Sequence, residues 1–179
     1  MSRRFSQIRF RLRRSLTLQL LPCFLFASLA LPPQTRGPSP QDLLAQYKER
    51  FVKETDPVHR AKALTKLGDA QVADFTRRAT ADDFEGAFVT LNAYRDEVRS
   101  VFDGLKATGN DAEKKPDGFK ELQIHLRKTL WELDRAASLV PTERRTEFHD
   151  IHEELDRIHN DLIHMLFPRE PGIKKAGGK

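Results

Sequence analysis

The stretch Pro141–Phe167, P-T-E-R-R-T-E-F-H-D-I-H-E-E-L-D-R-I-H-N-D-L-I-H-M-L-F, constrains the chain more than any other. Its apolar residues Phe148, Ile151, Leu155, Ile158, Leu162 and Met165 advance by alternating steps of three and four. That spacing is the seam of an amphipathic helix that packs lengthwise on other helices. Pro168 stops it, because proline supplies no amide hydrogen and disfavours a helical residue before it. A single helix with such a stripe is not stable alone in water, so the rest of the chain must supply matching stripes.

Three longer segments and one short one do so. Ser39-Pro40-Gln41-Asp42 gives a start signal: a serine that can accept amide hydrogen bonds, a proline at the first helical position and an acid in the first turn. Leu43, Leu44, Tyr47, Phe51 and Val52 form the apolar face of the short helix that follows. Asp56-Pro57 breaks it, and a second helix is expected from Pro57 to about Ala79, with Ala61, Leu64, Gly68, Val72 and Phe75 inward. Thr80 is read as the cap of a third helix that presents Phe84, Phe88, Leu91, Tyr94, Val98, Phe102 and Leu105. Gly109 marks its end, and the polar stretch through Gly118 is the longest internal connection. A fourth helix is expected over Phe119–Leu139, carrying Leu122, Leu126, Leu130, Leu133 and Ala137, before the tight joint Val140-Pro141-Thr142.

Short joints force consecutive helices to lie antiparallel and adjacent. The expected fold is therefore all-α: an antiparallel up-down helical bundle of four long helices plus a short N-terminal helix, without sheet. The domain expectation is an export signal at 1–30, a proline-rich linker at 31–38, the helical bundle at 39–167 and a flexible tail at 168–179.

The formal net charge of +5 suggests nucleic acid or an acidic surface until the charges are located. Of 31 basic residues, Arg3, Arg4, Arg9, Arg11, Arg13 and Arg14 lie in residues 1–30, which hold none of the 26 acids. Residues 31–179 thus carry 25 basic against 26 acidic residues, a net charge of −1. The basicity belongs to the leader, and no nucleic-acid partner is expected.

The leader has an arginine-rich start, an apolar run from Leu16 to Leu29 and a small-residue exit at Ala30, the three parts of an export signal. The run is shorter than the roughly 20 residues of a bilayer span, so removal after Ala30 is the first reading. Retention as a membrane anchor, lipid attachment at Cys23 and a twin-arginine route through Arg13-Arg14 are the alternatives. A periplasmic or secreted location follows, with membrane contact only through an uncleaved leader. Cys23 is the only cysteine, so the exported domain must be held by its core alone.

Candidate chemistry is sparse. His149, His152, Asp156 and His159 fall on one flank of the final helix at about 100° per residue. Neutral imidazoles with a carboxylate between them are ligands for zinc, copper or nickel, and His125 in the preceding helix could add a further ligand. The competing reading is a solvated polar flank. Glu-x-x-His pairs for a di-iron centre and a Cys-x-x-Cys-His haem site are absent, as are a phosphate-binding glycine loop and a nucleophile elbow. No enzyme activity and no cofactor are expected. Tyr47, Tyr94 and Trp131 are the candidate anchors for a protein partner or a second copy, each also able to cap a core edge. The functional expectation is a binding or structural protein acting through protein contacts, with metal binding or sensing on the histidine flank as the alternative.

Overall fold

The computed structural model describes residues 37–168. The expected export signal, most of the expected linker and the expected tail beyond Pro168 lie outside the described residues. Those described form five α-helices and no strand: α1 (Pro40–Lys53), α2 (Pro57–Thr80), α3 (Phe84–Ala107), α4 (Phe119–Ala136) and α5 (Arg145–Leu166). None of them is long and apolar enough to cross a membrane.

The ends of the helices follow from local chemistry. Ser39 Oγ accepts from the Asp42 amide at 3.2 Å while Asp42 Oδ2 accepts from the Ser39 amide at 3.0 Å, a reciprocal cap on α1. Asp56 Oδ1 accepts from the His59 amide at 2.8 Å and caps α2. Thr80 does not cap α3, contrary to the sequence expectation. Its hydroxyl donates to the Thr76 carbonyl at 2.7 Å as the last residue of α2, and Asp83 takes the cap by accepting from the Gly86 amide at 3.0 Å. A carboxylate immediately before Phe84 is nearer the free amides and favoured by the helix dipole. Between them Asp82 adopts φ 59°, which turns the chain. The fourth helix also ends earlier than expected, in a 3-10 turn over Ala137–Leu139, and α5 is entered through another over Thr142–Arg144.

The seam residues meet. Phe148, Ile151, Leu155, Ile158 and Leu162 of α5 are buried with Leu91, Val98 and Leu105 of α3, Leu122, Leu126 and Leu133 of α4, and Leu64, Leu67 and Phe75 of α2. Full burial of each large aliphatic or aromatic side chain contributes about 1.5–3 kcal/mol relative to exposure. Phe75 forms an edge-to-face pair with Phe88 at 6.1 Å and a stacked pair with Phe148 at 6.0 Å, so α2, α3 and α5 share one aromatic cluster.

The chain direction alternates from α2 to α5, and neighbours are set by how the two hairpins dock. Within the second hairpin, Asp134 meets His152 and Gln123 meets His159, so α4 and α5 are antiparallel. Between hairpins, Arg144 reaches Glu85, Asn92 reaches Glu147 and Arg99 reaches Glu154, which runs α5 parallel to α3. Lys128 reaches Asp69, and Arg135 and Leu139 share a groove with Thr76 and Arg77, which runs α4 parallel to α2. The helices α3 and α4, consecutive in sequence, are thus diagonal in space, and residues 108–118 cross one end. Gly118 completes that crossing at φ 81°, its amide donating to Glu121 Oε2 at 2.6 Å; an added Cβ would lie 2.6 Å from Leu105 Cδ2. Helix α1 lies along α2, with Phe51 buried beneath the Arg60 guanidinium at 4.6 Å and Lys48 paired with the buried Glu97 of α3.

Candidate functional site

The histidine flank divides among separate neighbours. His149 is exposed, and Asp156 is exposed and accepts from Asn160 Nδ2 at 3.0 Å. His152 is half-buried, its Nε2 3.0 Å from Asp134 Oδ1 but outside hydrogen-bond geometry. His159 is half-buried with its Nε2 3.1 Å from Gln123 Nε2. Burial lowers the His159 pKa, with Asp156 opposing and Arg127 of α4 adding to the fall. At 1.5 Å of rise per residue, His149 and His159 are about 15 Å apart along the axis, too far to share one ion. His125, expected to complete the set, is on the opposite side of α4, against α2 and α3. Among the described residues no three His, Cys, Asp or Glu side chains gather as metal ligands.

His125 instead is buried in a polar cluster at the inner edge of α4. Its Nδ1 is 3.5 Å from Asp69 Oδ1, its Nε2 3.5 Å from Thr129 Oγ1, and its ring stands edge-on to Tyr94 at 5.8 Å. Gly68 makes the room: an added Cβ would lie 2.7 Å from Tyr94 Cε2 and 2.9 Å from His125 Cε1, with His125 Nε2 nearer still. Burial pushes the His125 pKa down to about 4; the Asp69 carboxylate pulls it back up and Lys128 pushes it further down. Burial likewise raises the Tyr94 phenol, with Thr129 opposing the rise, and its Oη meets no partner in full hydrogen-bond geometry among the described residues. The His125 ring and the Tyr94 phenol are buried, while Asp69 reaches them from the half-exposed edge of the groove between α2 and α4.

The open face belongs to α4. Ile124 and Trp131, seven residues and two turns apart, are 45% and 58% exposed. The Arg135 guanidinium lies 4.7 Å from the Trp131 ring centroid and holds the indole against the helix. Arg135 also lines a groove of about 770 Å³ between α2 and α4, floored by Val72, Ala73, Ala136 and Leu139.

No family model, curated protein or solved structure matches this chain.

Of the three aromatic anchors expected from the sequence, Tyr94 is core and Tyr47 is half-buried against α2, which leaves Trp131. The sequence pointed to Trp131 as a candidate anchor but did not single out Ile124, Arg127 or Arg135. The available signal was the seven-residue step from Ile124 to Trp131, off the Leu122–Leu126–Leu133 seam, with arginines between and after them.

Proposed function

We propose that this chain is an exported, non-catalytic helical bundle that works by binding protein through the outer face of α4. The observation that carries the reading is Trp131, a large aromatic side chain more than half exposed and braced by Arg135 at the lip of a groove. Tryptophan and arginine are the residue types most enriched among side chains that dominate binding energy at protein interfaces. The periplasmic or secreted location is supported by the leader, and the non-catalytic role by the burial of His125 and Tyr94 away from solvent.

A photoreactive amino acid placed at position 131 is the test, with one at Val89, 69% exposed on α3, as the control. Specific adducts at position 131 and none at position 89 are expected in cells. Trp131→Ala should weaken the isolated complex by about 30-fold or more, the equivalent of roughly 2 kcal/mol for truncating an interface anchor. Equal labelling at both positions, or none at 131, overturns the proposal.

A further inference from the structure

Charge on the second hairpin is segregated by helix. The exposed positions of α5 carry Asp150, Glu153, Asp156 and Asp161 against two cations, Arg145 at its first residue and Arg157. The outer face of α4 carries Lys120, Arg127 and Arg135 around Ile124 and Trp131, with Asp134 turned toward His152 of α5. Elsewhere the surface ions pair freely: Lys48 with Glu97, Arg78 with Asp74 and Asp83, Arg99 with Glu154, and Arg144 with Glu85 and Glu147. Among the described residues, none of Lys120, Arg127, Arg135, Asp150, Glu153, Asp156 or Asp161 has an ion-pair partner within 4.0 Å. A basic apolar strip and an acidic strip thus lie side by side on one face, both unpaired.

That pattern has a simple geometrical complement. A two-fold axis parallel to the helices and lying in the plane of the face exchanges α4 for α5 and leaves heights along the bundle unchanged. The contacts Asp134–His152 and Gln123–His159 set the register of the hairpin, placing Arg127 level with Asp156 and Trp131 level with Glu153. Rotation about such an axis therefore sets Arg127 against Asp156 of a second copy, and Trp131 beside its Glu153 and His149, each contact made twice. A self-complementary patch of this kind is what a two-fold interface requires. A uniformly acidic partner, or an anionic lipid surface, would match α4 but be repelled by the α5 strip beside it.

We infer that the α4/α5 face is a two-fold interface between copies of this chain, with Trp131 and Ile124 at its centre and Arg127–Asp156 pairs across it. The inference rests on the binding reading above in that it uses the same face, and it names the partner as the chain itself. Since opposite charges drive it, the association weakens with salt.

Sedimentation equilibrium of the purified full-length protein tests it. Wild type is expected to sediment as a dimer at low salt, with the dissociation constant rising at least tenfold in Arg127→Asp and in Asp156→Arg. All three positions lie on the surface, so circular dichroism should show these variants and Trp131→Ala folded. The double variant Arg127→Asp/Asp156→Arg restores the pairs with reversed sign and should regain most of the lost affinity. A wild-type protein that stays monomeric overturns the inference, as does a dimer indifferent to both single reversals. A monomer whose position 131 still captures a different protein, or which binds vesicles of anionic phospholipid through Trp131, sinks the self-association while leaving the face itself as a binding surface.

Discussion

His125 shows at the scale of one residue how the interior overrides composition. Its imidazole is placed where charge is unfavourable, so the folded state holds it neutral down to about pH 4, while an unfolded chain takes up the proton near pH 6.5. Between those values the unfolded state binds more protons than the folded one. The contribution of His125 is therefore complete above about pH 6.5 and is lost progressively as pH falls toward 4, by an amount on the order of 3 kcal/mol. The carboxylates of Asp42, Asp74 and Asp83, held below their usual range by hydrogen bonds that outweigh desolvation, act in the same direction but at lower pH. Replacing His125 by glutamine should flatten urea-measured stability between pH 6.5 and 4, although it lowers stability at pH 7. A wild-type profile with no slope in that window would show that the imidazole is not the neutral buried group described here. Nothing in the sequence distinguished His125 from the four other histidines of the last two helices, because burial depends on which face of α4 meets α2, and no local spacing encodes that.

Among the helices, α2 owes its packing to what Gly68 lacks. Glycine inside a helix is ordinarily destabilising by about 0.5–1 kcal/mol relative to alanine, so Gly68→Ala on an open surface would strengthen α2. Here the added methyl meets the rings of Tyr94 and His125, one from α3 and one from α4, both fixed by their neighbours. The expected result is a loss of about 1–3 kcal/mol, with the thermal midpoint falling, as for other overpacked cores. An increase in stability would mean that the α2/α3/α4 contact is looser than it stands. The small inward residues of this helix were legible from the sequence as a site of close approach, and so were the apolar seams of α3, α4 and α5, since a 3.6-residue period leaves a direct trace in the order of side chains. What approaches Gly68 was not legible. Neither was the diagonal relation of α3 and α4: the length of the 108–118 connection permits either adjacency or a crossing, and the choice is made by how the buried faces of the two hairpins pack, as where Phe75 stacks on Phe148. Likewise Thr80 and Asp83 both fit a cap, and only the turn at Asp82 decides between them.

On the whole molecule, the near-neutral balance of residues 31–179 conceals opposed strips, and the sign of a salt effect separates two consequences. In an isolated monomer, the neighbouring unpaired carboxylates Asp150, Glu153, Asp156 and Asp161 repel one another along α5. Raising ionic strength shortens the screening length from about 10 Å at 0.1 M to about 3 Å at 1 M and relieves that repulsion, so the thermal midpoint should rise with salt and not depend on protein concentration. In the two-fold dimer the same carboxylates face the cations Arg127, Arg135 and Lys120 of the second copy. Association then adds to stability through mass action, the midpoint climbs with protein concentration, and salt lowers it by screening the pairs that hold the copies together. Scans at two protein concentrations and two salt concentrations contain both signs. The expected outcome is a midpoint that rises with concentration at low salt and loses that dependence at high salt, with Trp131→Ala behaving at low salt as wild type does at high salt. A midpoint independent of concentration and increasing with salt would assign the two strips to a monomer.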